Sequence, residues 1–146
     1  MEVNNLNTQY SILGISLIES KFFRTNDMPE NVMQLPNSSA LSINFGILDN
    51  KLTVVEKLTF KIESESRTEV ESEITMAAVF QYENNAKIPI KQFANINAAA
   101  MIFPYIREHL SSLTLKAGIG HILLSPVNFT QFQQPISPID NVEPSL

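Results

Sequence analysis

Residues 51–82, KLTVVEKLTFKIESESRTEVESEITMAAVFQY, read as two amphipathic strands joined by a polar turn. Leu52, Val54, Leu58, Phe60 and Ile62 fall on one face and Lys51, Thr53, Lys57, Thr59, Lys61 and Glu63 on the other. That is the period of two expected of a half-buried strand, and Glu56 is the one break in its apolar row. After ESRTE, the row Val70, Ile74, Met76, Ala78, Phe80 and Tyr82 alternates with Glu69, Glu71, Glu73, Thr75 and Gln81. The two runs predict an antiparallel hairpin in which lysines of one polar face lie near glutamates of the other. Such cross-strand pairs contribute roughly 0.2 to 1 kcal/mol each, and the charged rows read as a solvated sheet face rather than a binding site.

Upstream, Leu41, Ile43, Phe45 and Ile47 alternate with Ser42, Asn44 and Gly46, and LDNKL predicts a tight turn into the hairpin. TNDMPENVMQLPNSS, with two prolines, predicts a loop crossing between strands. From Thr8 to Phe23 the chain reads as one long strand or two, with a bend near Ser20. The expectation is a meander of four strands with one apolar side in need of a cover.

Downstream, NINAAAMIFPYIREHLSSLTLKAG supplies that cover. Ala99, Phe103, Ile106, Leu110, Leu113 and Ala117 recur at steps of four and three, one stripe of a helix. Asn95 or Asn97 could cap its start, Lys116 complements its negative end, and Gly118 is the residue type that commonly stops a helix. Pro104 interrupts the stripe, so it either kinks the helix or lies in its first turn after a separate turn from Gln92 to Ala100. In GIGHILLSPVNF, Ile122 to Leu124 could add a short extended piece before Pro126, and the tail TQFQQPISPIDNVEPSL carries three prolines. The fold class is α+β: a four-stranded antiparallel sheet with a long helix on one face. Residues 1–130 read as one domain and 131–146 as a proline-rich flexible tail.

Composition removes several function classes. Fifteen acidic against ten basic side chains give a net charge of −5, a poor match to a phosphate backbone, so no nucleic-acid partner is expected. The absence of cysteine rules out disulfides, thiolate catalysis and cysteine-ligated metal, and fits a reducing cytoplasm. The start MEVNNLNTQYS lacks a basic segment followed by an apolar run, so it is not read as a secretory signal, and the mature chain is expected to begin there. No segment reaches the roughly 20 apolar residues of a membrane span.

Chemistry has few residues to work with. A serine–histidine–acid arrangement would need His109 or His121 with Ser111, Ser112 or Ser125, and no glycine-flanked serine elbow is present. Glu108 and His109 are adjacent and point apart on a helix, a poor acid–histidine relay. No metal-ligand spacing and no glycine-rich phosphate loop occurs among the four glycines. No catalytic, cofactor or metal residue is assigned, and the chain is not read as an enzyme.

The pairing of Phe103, Pro104, Tyr105, Arg107 and Glu108 with Pro126, Val127, Asn128 and Phe129 resembles the C-terminal half of the SecB protein-export chaperones. The resemblance implies a four-stranded sheet with helices on one side, assembled as a dimer of dimers. It further implies an ATP-independent, cofactor-free holdase that binds unfolded or nascent polypeptides and serves protein export. Phe22, Phe23, Met76, Phe80, Tyr82 and Tyr105 are the client-binding candidates, against the alternative that each fills the core or a subunit contact. The chain departs from the family at IESKFFRTND, where members that dock on the translocase motor carry acidic positions and this one has Glu19 early and Arg24 late. It departs again where Pro135 and Pro138 stand in place of a longer second helix. A dedicated chaperone of one partner such as an antitoxin, or a non-chaperone protein-binding scaffold, are the other readings.

Overall fold

The computed structural model describes residues 9–132. Four strands, β1 (Tyr10–Arg24), β2 (Asn37–Leu48), β3 (Lys51–Glu63) and β4 (Thr68–Tyr82), make one antiparallel sheet. The polar–apolar alternation is realised on both central strands. Leu52, Val54, Leu58, Phe60 and Ile62 of β3 and Val70, Ile74, Ala78 and Phe80 of β4 are all buried on one side. Each of these side chains except the small Ala78 contributes roughly 1.5–3 kcal/mol through burial. On the opposite face Lys57 meets Glu73 at 2.8 Å and Lys61 meets Glu71 at 3.9 Å, exposed pairs worth little to stability. The tight turn is Asp49–Asn50, with φ of 52° and 61°, the left-handed pair that a two-residue hairpin requires.

Only β2, β3 and β4 form a meander. The strand order is β1-β4-β3-β2, so the expected four-strand meander is corrected: β1 pairs with β4, and residues 25–36 cross from one side of the sheet to the other. This loop is pinned to the β3–β4 turn. The Thr25 N–H donates to the Glu69 carbonyl at 2.9 Å, and Arg67 binds the Asp27 carboxylate at 2.8 Å. β1 is a single strand, and its register slips twice, between Ile12 and Gly14 and between Leu17 and Glu19. Each slip is a bulge, leaving Leu13 and Ile18 as the extra residues. No break falls at Ser20, where a bend was expected: it pairs in register with Ile74, and the nearer irregularity is at Ile18.

The cover starts earlier than its stripe suggested. α1 (Ile90–Gln92), one wide π turn (Phe93–Ala98) and α2 (Ala99–Lys116) run on with helical backbone throughout. Pro89 precedes the first turn, and neither Asn95 nor Asn97 caps it; both lie inside the π turn. Pro104 is therefore inside the helix, not in its first turn. It is tolerated because it is exposed, as is Ala100, the residue whose carbonyl a proline at 104 deprives of its usual partner. Pro104→Ala should raise stability by about 1–2 kcal/mol, since an interior proline costs a helix about 3 kcal/mol and the entropy of the unfolded chain returns part of that. Urea denaturation measures it; a loss of stability would mean that the proline is needed for the helix path.

The buried stripe is Ala99, Ile102, Phe103, Ile106, Leu110, Ser111 and Thr114, with Leu113 and Ala117 only half-buried. The stripe thus turns towards Thr114 in the last turns. Gly118, at φ 78°, ends the helix as expected: its N–H bonds Leu115 O and that of Ile119 bonds Thr114 O, a Schellman motif. Residues 120–128 have no regular structure, so the expected extended piece at Ile122–Leu124 does not form a strand. Thr114 Oγ1 instead accepts the Ile122 N–H, tying the segment to α2. The flexibility expected of 131–146, and the effect of Pro135 and Pro138, concern residues beyond 132 and lie outside the described residues. No described helix is long and apolar enough to cross a membrane.

Candidate functional site

α2 packs on β4 and β3, and the pairing that places β1 outermost leaves Ile12 and Leu17 of its helix-side row exposed and Ile15 half-buried. Ile12, Ile15 and Leu17 of that row, together with Met76 and Tyr105, line an open trench of about 390 Å³. Leu17 is 46% and Tyr105 53% exposed, and Met101, one helical turn before Tyr105, is exposed as well. Contiguous exposed apolar surface of this kind marks an interaction site more often than it marks nothing. The trench has a polar boundary where Ser20 Oγ and His109 Nε2 meet at 2.9 Å, joining β1 to α2.

Of the sequence candidates, the trench brings together Met76, which is 8% exposed and forms its floor, and Tyr105. Phe22 faces the same side further along β1 and is half-buried against the core. Phe23 is exposed on the opposite face, in register with Glu71. Phe80 is 1% exposed and packs edge-on against Phe93 with ring centroids 5.0 Å apart, so it is inaccessible in this chain. Tyr82 stacks on Tyr10, which in turn stacks on Phe93 and donates its hydroxyl to Ile88 O at 2.7 Å. Burial, helped by the neighbouring Tyr82, holds the Tyr10 hydroxyl above its ordinary pKa. Ile12 and Leu17 were not singled out from sequence. The available signal was the out-of-phase apolar pairs Ile12–Leu13 and Leu17–Ile18, which mark the bulges of an outer strand.

The two sequence motifs meet in space. Phe103 and the buried Phe129 pack edge-to-face with centroids 5.8 Å apart, and Phe129 does the same with Phe132. Asn128 prepares this contact: its Oδ1 accepts from the Thr130 N–H at 3.1 Å and from the Thr130 hydroxyl at 2.5 Å, an Asx turn that aims Phe129 inward. Pro104 and Glu108 are exposed, and Arg107 is half-buried with its Nε lacking a partner among the described residues. The late Arg24 of the IESKFFRTND stretch is structural. Its guanidinium donates to Ala117 O at 2.6 Å, at the negative end of α2, and to the carbonyls of Thr25 and Asn26.

Two buried carboxyls have opposite environments. Glu69 accepts from Thr25, Ser64 and Arg67, and these hydrogen bonds hold it down at a pKa of about 2. Glu56 has no partner for either oxygen among the described residues, and burial pushes it up to about 9. The histidines make no relay: His109 pairs with Ser20 and His121 Nδ1 with Ser111, and no described carboxylate bonds either ring. No described cluster of histidines and carboxylates could hold a metal ion. What this surface can do chemically is bury apolar side chains and offer strand edges.

Comparison with known proteins agrees with that chemistry. The SecB family model, described as preprotein translocase subunit SecB, matches residues 16–136. Protein-export protein SecB of Azoarcus sp. is 31% identical over 114 residues, 78% of this chain and 73% of that protein. The protein of the same name from Neisseria gonorrhoeae is 30% identical over 106 residues, 73% of this chain and 69% of its own length. Among solved structures, a SecB-like chaperone of Mycobacterium tuberculosis, in complex with a peptide from an antitoxin, superposes with a TM-score of 0.69. At 16% identity, covering 84% of this chain and 91% of that one, it shares the fold.

Proposed function

Because this chain belongs to the SecB family of chaperones, we propose that it is an ATP-independent holdase that binds unfolded or nascent polypeptides along the β1 trench. The observation that carries the reading is the apolar row on the outer strand β1, with Ile12 and Leu17 exposed and Ile15 half-buried between them, opposite Tyr105. An extended client can bury alternate side chains in such a trench and pair its backbone with a strand edge, with no chemical step. Met76 and Tyr105 are the client-contacting residues among the six sequence candidates; Phe22, Phe80 and Tyr82 serve the core, and Phe23, exposed on the opposite face, has no part in the trench. The protein works in the cytoplasm as a homotetramer, a dimer of dimers, with residues 1–130 as the chaperone domain and 131–146 as an appended tail. Ile18 and Leu115, exposed outside the trench, are apolar surface that such an assembly would cover.

Light scattering from an aggregating, refolding substrate tests this. Near-stoichiometric chain should suppress the signal without nucleotide, with a tetramer's mass in solution. A monomer that leaves aggregation unchanged, or a protein that binds one folded partner and ignores unfolded chains, would overturn it.

A dedicated partner chaperone is the second reading. Arg24 occupies the strand end where translocase docking calls for acidic groups, and it is committed to capping α2. The solved relative holding an antitoxin peptide is of the same fold. Direct titration against a purified translocase motor separates the two: tight binding favours general export, and none favours the dedicated role.

A further inference from the structure

Glu56 stands in a cross-strand row that runs Ile43, Glu56, Met76, Leu17 from β2 to β1. Its own side chain is 0% exposed, Met76 is 8% and Leu17 46%, whereas Ile43 closes the row at 3% on the β2 side. Across the sheet, therefore, the way from this carboxyl to solvent leads past Met76 into the trench.

Neither oxygen of this carboxyl has a hydrogen-bond partner among the described residues. β2 and the π turn carry no ionisable residue, and Lys51, Lys57 and Lys61 of β3 and Glu71 and Glu73 of β4 lie on the opposite face. Glu63 is at the far end of β3, and Glu69 is held by Thr25, Ser64 and Arg67. On β1, Glu19 and Lys21 are on the opposite face, Arg24 is bound to α2, and Tyr10 is stacked with Tyr82 of β4 at the other end of the sheet, its hydroxyl donated to Ile88 O. From the helices come Lys91, Tyr105, Arg107, Glu108, His109 and Lys116, none of which bonds Glu56. Neutral, the carboxyl packs as a small polar plug between sheet and helix. Ionised, it must find water, because an unpaired buried charge is far too costly to keep.

We propose that Glu56 is a proton-linked wedge beneath the trench: on losing its proton, the side chain swings past Met76 towards β1, parts α2 from the sheet and widens the trench. That the widened trench would admit bulkier client segments rests on the holdase reading above; the movement itself does not.

Amide hydrogen exchange on the full chain without client, from pH 6 to 9.5 and corrected for base catalysis, tests the wedge against Glu56→Gln and Glu56→Met. Peptides from α2 and β1 should lose at least tenfold protection between pH 6.5 and 9 in the wild type, and not in the variants. Glu56→Met, which leaves no polar group to bury, keeps the comparison available if Glu56→Gln folds poorly. The proposal is overturned if wild type and variants share one pH dependence, or if protection falls uniformly through β2 and β3, which is global unfolding. Because no client is present, failure to bind unfolded chains would sink the holdase reading and leave this result standing.

Discussion

The free energy of unfolding of the wild type, measured by urea denaturation, should fall relative to that of Glu56→Met as pH rises from 5 to 8, by about 3–4 kcal/mol in all. The sign follows from linkage. Glu56 titrates at about 9 in the folded chain, because burial among Ile43, Met76 and the helix disfavours its charge, and near 4.5 when unfolded. Between those values the native state holds a proton that the unfolded state has released, so each pH unit costs the native state up to about 1.4 kcal/mol. The contribution is fully present below pH 4.5 and is lost as pH rises towards 9. Glu69 has the opposite sign: its depressed pKa stabilises above pH 4.5 and is lost as pH falls towards about 2, outside the range tested. Other groups titrate alike in both proteins and cancel in the difference. Glu56→Met should also be the more stable protein at pH 8, since it removes a buried group without a partner. A difference that stays flat from pH 5 to 9 would refute the buried, unpartnered carboxyl.

How much of this was legible in the sequence depends on whether a residue's fate is local. The alternation on β3 and β4 is a property of pleat and burial, so the hairpin, its buried rows and its Lys–Glu pairs could be read directly, down to Glu56 as the odd member. Gly118 could be read because a left-handed C-terminal residue is a local requirement. The place of β1 could not. Which side of the meander a preceding strand joins depends on a twelve-residue loop held by Thr25, Asp27, Arg67 and Glu69, contacts far apart in sequence. The trench is a consequence of that placement, so nothing in the sequence singled out Leu17. The helix start was misplaced for a related reason: Asn95 and Asn97 have the chemistry of caps, but Pro89 sets the entry about two turns earlier, and contacts with β2 hold the π turn in place. Phe103 and Phe129 were recognised as family motifs before they could be seen as a pair, because their contact spans 26 residues of chain and depends on Asn128 to aim it.

Charging the trench should abolish client binding while leaving the fold intact. In Leu17→Glu combined with Tyr105→Glu, two half-exposed apolar side chains on opposite walls become carboxylates that remain hydrated in the free protein. The unfolding free energy should therefore change by less than about 1 kcal/mol, as for other exposed substitutions. A bound apolar segment, however, would have to strip water from both charges, at a cost of several kcal/mol, and would lose the apolar area that Leu17 and Tyr105 offer. Affinity for an unfolded, fluorescently labelled client should fall at least a hundredfold, which is about 2.7 kcal/mol. Phe23→Glu is the matched control: it is as exposed as Tyr105 and lies on the same strand as Leu17, but on the opposite face. The two variants carry their new charges on different sides of one sheet, so general electrostatic repulsion of an acidic client would weaken both. Loss of binding confined to Leu17→Glu/Tyr105→Glu assigns the trench; equal loss in Phe23→Glu, or none in either, moves the client elsewhere. Measuring the oligomer's mass for each variant alongside the titration separates a blocked trench from a broken subunit contact, since only the latter would change the mass before client is added.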